Sequence, residues 1–374
     1  MAIPNELSLF NSTSSPGSTA EISLNISLAT SALPCTDWLP IPITTVIPAI
    51  YTVICVLGTL ANALAVCVLA YASASRTTIA NIFMLNLCVS DLLFLLSLPL
   101  WAIYYSKGYS WSFGWVACKI CGALLNFNLY ASIFFITSMS IDRYLAIVRP
   151  LRSQSARNPG RARLACILVW FLACACSAPT LYLRDTYHLE ELGVEACVIF
   201  YHSNAWYLTL VLMKIIMGFL LPLLIISCCY CAIGRHFKPE RPLTLSAVVL
   251  AFFICWFPFH CVSFLELLKS GGWVDGCWVD WTVNNLTPLT LCLGFSNSAI
   301  NPVLYCFIGK HFRGRLGGLC KGLCACLKAQ GDDHSQKRGS FSTRLSSFSR
   351  KLRVTHCSLH QNYTDETYHK KTNS

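Results

Sequence analysis

Seven apolar runs, at residues 43–71, 79–104, 116–147, 164–183, 205–235, 243–268 and 282–307, dominate the chain. Each is about as long as the ~20 residues a helix needs to cross a bilayer. In hydrocarbon a spanning segment must satisfy its own backbone hydrogen bonds, and runs of this length do so as helices. Hydrophobic residues make up 55% of the chain and charged residues only 12%, against about 25% charged in soluble domains. The predicted fold class is therefore an all-α membrane protein, a seven-transmembrane helix bundle over 43–308. An N-terminal segment, 1–42, precedes it, and a short amphipathic membrane-surface helix, 309–320, and a disordered cytoplasmic tail, 321–374, follow.

Short loops rich in Lys and Arg stay on the cytoplasmic side of a membrane. Arg149, Arg152, Arg157, Arg161 and Arg163 follow the third run, Arg235, Lys238 and Arg241 the fifth, and Lys310 and Arg313 the seventh. Those faces are predicted to be inside. The opposite segments hold only Lys107, Lys119, Arg184 and Lys269 against Glu6, Glu21, Asp37, Asp185, Glu190, Glu191, Glu195, Glu266, Asp275 and Asp280, so the outside is acidic although the chain carries +11. This predicts a multi-pass plasma-membrane protein with its N-terminus extracellular and its C-terminus cytoplasmic. Membrane lipids with anionic headgroups suit the inner face, and cationic groups would be steered to the outer mouth. A basic inner face serves topology in nearly any membrane protein, so the outer acidity is the sharper clue. Nucleic acid is not a predicted partner, because the basic residues border spans and are not interleaved with exposed aromatics.

No basic start and short apolar run lead to a cleavage site before Asp37, so the first span is expected to act as its own signal. Asn11-Ser12-Thr13 and Asn25-Ile26-Ser27 are glycosylation acceptors in the predicted exported segment. Of the 22 cysteines, only Cys35, Cys118, Cys197 and Cys277 fall outside the membrane on the oxidising side. Four cysteines allow three pairings. The topology favours Cys118-Cys197, tying the top of the third span to the loop after the fourth, and Cys35-Cys277, tying the N-terminus to the last outer loop. Cys320, Cys324 and Cys326 follow the amphipathic stretch and are palmitoylation candidates. No metal site is expected there, since no histidine accompanies that spacing.

Polar groups inside the spans are costly and point to function. Asp91 needs a cation or a proton at its depth. Asn128, Ser132, Asn297, Ser298 and Asn301 are predicted to converge on it, holding either a hydrated Na+ or a hydrogen-bond network around a protonated acid. Lys214 has two readings as well: it snorkels to the surface as an anchor, or it joins Arg184 in capturing a carboxylate entering from outside. Asp142-Arg143-Tyr144 closes the third run and Asn301-Pro302-Val303-Leu304-Tyr305 breaks the seventh near the same membrane face. Pro99, Pro179, Pro222, Pro258, Pro288 and Pro302 permit kinks. In Cys255-Trp256-Phe257-Pro258 a bulky ring sits beside one, which couples rotation of the sixth helix to whatever fills the space above Trp256.

Gly58 and Asn62, Asp91, Cys118, Asp142-Arg143-Tyr144, Trp170, Pro222 with Tyr230, Cys255-Trp256-Phe257-Pro258 and Asn301-Pro302-Val303-Leu304-Tyr305 occur in that order on successive runs. Carrying them, residues 43 to 320 resemble a rhodopsin-like (class A) G-protein-coupled receptor. Within that family the chain is similar to the angiotensin receptors, the type-2 pattern in particular. Leu98-Pro99-Leu100-Trp101-Ala102, Tyr182-Leu183-Arg184-Asp185, Leu192-Gly193-Val194-Glu195-Ala196-Cys197 and Leu293-Gly294-Phe295-Ser296-Asn297-Ser298 carry this narrower likeness.

The resemblance implies a peptide receptor in which Arg184 and Lys214 bind the ligand's C-terminal carboxylate. Tyr51, Trp101, Leu125, Trp256, His260 and Phe295 would form walls, and Glu266 and Asp280 would pair with an arginine near the peptide's N-terminus. It also implies activation through Asp142, Arg143, Tyr144, Tyr230, Trp256, Pro258, Asn301, Pro302 and Tyr305, with a heterotrimeric G protein, an arrestin, or both as partners. From the residues themselves, Ser340, Ser342, Thr343, Ser346, Ser347 and Ser349, interleaved with Arg344 and Arg350, suit kinases whose phosphates would recruit an arrestin-like partner, or form an ordinary disordered Ser-rich tail. No cofactor is expected apart from Na+ as an allosteric ion.

Two positions depart from the angiotensin pattern. Asn284 stands where the type-2 pattern has Asp, with Asp280 one helical turn away. The third inner loop is reduced to Lys238-Pro239-Glu240-Arg241-Pro242 between Phe237 and Leu243, which is expected to weaken coupling without preventing insertion. The neighbouring readings are bradykinin and chemokine receptors, which share the Trp-x-Phe-Gly element at Trp111 to Gly114, and outside the receptors a polytopic transporter. A transporter would be expected to repeat the Asp91 or Asp142 region, and the chain holds no second copy of either. An enzyme is not expected, as neither His-Glu-x-x-His nor Gly-x-Ser-x-Gly occurs.

Overall fold

The computed structural model describes residues 8–10, 42–73, 78–150, 158–190, 193–236 and 243–308, with 314 and 317; the side chains of 8–10, 71–73, 236, 243–248 and 305–308 lie outside that description. Two compact units are present, Met1–Leu316 and Gly317–Ser374, and the bundle belongs to the first. Asn11, Asn25, Cys35, the loop at 238–242, Cys320, Cys324, Cys326, most of 309–320 and all of 321–374 fall outside the described residues.

Among the described residues, six helices are long and apolar enough to cross a membrane: Ile43–Ala70, Ile79–Ser106, Gly114–Val148, Pro159–Leu183, Asn204–Arg235 and Val249–Ser270. The sixth begins earlier as a helix, at Leu243. They follow the sequence expectation, with ends set by caps. The fourth starts at Pro159, ahead of the expected 164, because Asn158 caps it: its side chain accepts from the Arg161 amide at 2.7 Å, and Pro159 fits the first helical turn. Thr78 caps the second in the same way, at 3.3 Å from the Asn81 amide. On the first helix Val53, Val56, Leu57, Leu60 and Leu64 are exposed at helical spacing, and on the fourth Leu164, Ile167, Leu168 and Phe171. These apolar stripes face outward, where a soluble bundle would carry charge.

The seventh helix, Cys277–Ile308, adds a further long helix to the bundle. Asn284, Asn285, Thr287, Thr290, Ser296, Asn297, Ser298 and Asn301 lower its hydropathy. It packs chiefly against the sixth and first helices, so these groups meet protein instead of lipid. Gly58 allows that approach, since a β-carbon there would lie 3.0 Å from Leu95 and 3.4 Å from Ala299.

Two helices break where a proline removes an amide. The second divides into Ile79–Leu95 and Leu98–Ser106, and the Leu95 carbonyl opposite Pro99 accepts instead from Cys55 Sγ at 3.6 Å. The fifth runs as Asn204–Ile215, widens into a π turn at Ile216–Leu220, and resumes at Leu221–His236, with Pro222 following the wide turn.

Strand β2, Arg184–Leu189, continues directly from the fourth helix and pairs antiparallel with β3, Val194–Tyr201, so that Thr186 faces Cys197. Gly193 takes the positive φ of 62° that their turn demands. The Cys118–Cys197 disulfide pins β3 to the third helix. A short strand β1, Ser8–Phe10, runs parallel to β3 at Ile199–Tyr201, giving the order β1-β3-β2. The open backbone edge of β3 is what orders that segment.

Candidate functional site

At the end of the bundle that carries the hairpin, Arg184 is 5% exposed. Its guanidinium carbon sits 5.3 Å from the ring centre of Trp101, its Nη1 points at Cys197 Sγ at 3.7 Å, and its Nε is buried with no hydrogen-bond partner. Lys119, one of the few cations expected at this end, holds the arginine from behind. Its ammonium donates to the Arg184 carbonyl at 2.7 Å and pairs with Asp185 at 3.0 Å.

From Arg184 a chain of ring contacts runs inward. Trp101 meets Tyr104 with centres 5.7 Å apart, Tyr104 meets Tyr105 at 5.6 Å, and Tyr105 meets Tyr51 at 5.8 Å. Tyr51 touches Phe295 at 5.7 Å, Phe295 reaches Trp256 at 6.0 Å, and Trp256 reaches Phe259 at 5.8 Å. Lys214, half-buried on the fifth helix just before the π turn, lies 6.0 Å from the Phe259 ring centre. Next to Phe259, the buried His260 imidazole lies with its ring centre 4.7 Å from that of Phe219, and neither of its ring nitrogens is hydrogen-bonded. Both cations thus border one connected series of aromatic rings. Leu125 is half-buried on the third helix.

The rim is only partly as expected. Asp280 forms an ion pair with Lys269 at the top of the sixth helix, so this acid is engaged within the protein. Glu266 is half-buried one turn inward of Lys269. Cys277 is disulfide-bonded, and its expected partner Cys35 lies outside the described residues.

Deeper in the bundle, Asp91 is fully buried and accepts from Asn128 Nδ2 at 2.9 Å, Ser132 Oγ at 3.5 Å and Asn301 Nδ2 at 3.3 Å. Ser298 Oγ donates to Asn128 Oδ1 at 3.2 Å, and Asn62 donates to the Ser298 carbonyl at 2.8 Å. Five of the six residues expected here, Asp91, Asn128, Ser132, Ser298 and Asn301, are joined in one network. Asn297 is buried too, and the side-chain oxygens of Asn297 and Asn301 have no hydrogen-bond partner. A carboxylate with spare amide oxygens is a hard donor set that fits Na+ and its water shell.

At the opposite end, Asp142 is buried, Arg143 exposed, and Tyr144 and Tyr230 half-buried. Pro258 is half-buried within the sixth helix and Pro302 buried within the seventh. Tyr305 lies on the seventh helix, and its side chain is outside the described set.

Sequence reasoning missed Gly294 and the tyrosine pair. A β-carbon on Gly294 would lie 2.8 Å from the Trp256 ring, so the indole fits against the seventh helix only because this residue is glycine. A glycine between Leu293 and Phe295 in mid-span was a readable signal, since glycine has little other reason to sit inside a helix. Tyr104 and Tyr105 link Trp101, against which Arg184 lies, to Tyr51.

The sequence pattern described as 7 transmembrane receptor (rhodopsin family) matches residues 61–305. The human (Homo sapiens) type-2 angiotensin II receptor is 40% identical over 317 residues, covering 81% of this chain and 87% of that protein. The mouse (Mus musculus) type-2 receptor is 39% identical over the same coverage. The bovine (Bos taurus) type-1 angiotensin II receptor is 39% identical over 281 residues, covering 71% of this chain and 78% of that protein. A bundle with a disulfide-pinned hairpin, a buried Asp91 network and this match are properties of receptors, not of enzymes, and the chain belongs to the rhodopsin family of seven-transmembrane receptors.

Proposed function

We propose that the protein is a plasma-membrane receptor for a peptide hormone of the angiotensin II type, with its N-terminus outside the cell and its C-terminus in the cytoplasm. The observation that carries this reading is the pair of cations, Arg184 and Lys214, bordering one buried aromatic wall. Such a wall suits a peptide's apolar side chains, and the cations suit its terminal carboxylate. The identity to type-2 and type-1 angiotensin II receptors supports the same ligand class.

In this mechanism the carboxylate of the peptide pairs with Lys214 and Arg184, and its last side chain presses toward Trp256. Contact with Trp256 favours a state in which the sixth helix swings outward about Pro258. At the inner end, Asp142, Arg143, Tyr144, Tyr230, Asn301, Pro302 and Tyr305 then rearrange to admit a G protein or an arrestin. The ligand shifts this balance only by its differential affinity for the two states, and a tenfold shift needs about 1.4 kcal/mol. Na+ at Asp91 would bias the balance as an allosteric ion. Glu266 is the acid offered to a cationic group near the peptide's N-terminus, whereas Asp280 must first leave Lys269.

The test is Lys214→Gln in full-length receptor, read by competition binding with angiotensin II. Affinity should fall about tenfold or more. Unchanged affinity removes Lys214 from the site, and stronger competition by bradykinin than by angiotensin II reassigns the ligand class.

A further inference from the structure

Gly122 lies on the third helix one turn beyond Lys119, facing Arg184. A β-carbon built there would fall 2.1 Å from Arg184 Cδ and 2.4 Å from its Nε. The arginine side chain therefore crosses the space that every other amino acid would fill. Such an overlap is relieved by whichever partner yields, and the strand is poorly placed to yield. The Arg184 amide donates to the Thr180 carbonyl, and its own carbonyl accepts from Lys119 Nζ at 2.7 Å. In the sheet it is paired with Ile199, and the Cys118–Cys197 disulfide holds β3 to the third helix. Only the side chain is left to move.

We propose that Gly122 is the positioning residue that sets the Arg184 guanidinium for recognition of a terminal carboxylate, and so determines selectivity for ligands that end in a free acid. This rests on the carboxylate-binding reading of Arg184 above. A guanidinium recognises carboxylate through a planar fork whose orientation matters as much as its charge. With glycine at 122 the fork lies against Trp101, with its Nε buried and unpartnered. A methyl group at 122 turns the fork away and leaves the remainder of the wall in place.

The experiment measures competition binding of angiotensin II and its C-terminal carboxamide on membranes bearing the full-length receptor. Wild type should prefer the acid by about tenfold or more. Gly122→Ala should erase most of that preference by weakening the acid, while the carboxamide changes less than about threefold. Arg184→Ala should do the same, and the double variant should lose nothing further, because the two substitutions remove one interaction. If Arg184→Ala loses the preference and Gly122→Ala keeps it, the positioning role is overturned and the carboxylate reading stands. If wild type does not distinguish acid from amide, the carboxylate reading falls and takes this inference with it. Should Gly122→Ala fail to reach the cell surface, restoration by Arg184→Ala in the same chain supports the steric account, and failure to restore overturns it.

Discussion

Asp91 accepts hydrogen bonds from two carboxamides and a hydroxyl in the buried interior of the bundle. Replacing it with Ala would leave Asn128 Nδ2 and Asn301 Nδ2 without their acceptor, at about 1–3 kcal/mol for each donor. Asn is the more informative change, because it keeps the shape and removes the charge. In wild type, agonist affinity is expected to change when Na+ is replaced by a large organic cation, and in Asp91→Asn it is expected not to. Competition curves in the two salts separate this from a network around a protonated acid, which predicts no Na+ dependence in either protein. Asp91 and the amides of the third and seventh helices were readable because polar residues are scarce in these runs. That Asn297 and Asn301 would each keep an unpartnered oxygen depends on helix rotation, which no spacing records.

At the level of elements, the hairpin and the third helix form one unit through the Cys118–Cys197 disulfide and the contacts of Lys119 with Arg184 and Asp185. The Lys119–Asp185 pair is 22% and 44% exposed, so it contributes little, on the order of 0.5 kcal/mol. The disulfide dominates, since it closes a loop with a sequence separation of 79, a constraint of about 2–5 kcal/mol. Cys118→Ser with Cys197→Ser is accordingly expected to lower both thermal stability and peptide affinity. Lys119→Ala should leave stability nearly unchanged, and thermal unfolding of the detergent-solubilised protein checks both. Topology narrowed the cysteine pairing, because only four cysteines fall in the segments that the sequence predicts to be on the oxidising side. The π turn at Ile216–Leu220 had no comparable signal: Pro222 announces a disturbance, but spacing does not say whether the backbone kinks or widens.

Across the whole molecule, the proposed mechanism requires that a change at the aromatic wall reach the opposite end, and the sixth helix with Trp256 and Pro258 is the element that spans both. The short link Lys238-Pro239-Glu240-Arg241-Pro242 ties the fifth and sixth helices together on that side. A receptor in which this link is lengthened by about a dozen residues, close to three helical turns, should activate G proteins more strongly at unchanged peptide affinity. Nucleotide exchange on purified G protein measures it, and equal activation by both forms would clear the short link of limiting coupling.

The sequence by itself determined the membrane bundle, the order of its helices and the identity of the rare polar residues within them. Those follow from transfer energetics, in which each apolar run and each charge in a span has a large cost or gain that neighbours barely alter. Tertiary structure alone decided how the helices turn toward one another. The seventh helix turns Asn285, Asn297, Ser298 and Asn301 inward, Asp280 finds Lys269 across a loop, and Arg184 reaches its place through the gap left by Gly122. These outcomes depend on side-chain packing between segments distant in sequence, where a shift of an ångström or two changes which atoms meet, and one-dimensional spacing carries no record of it.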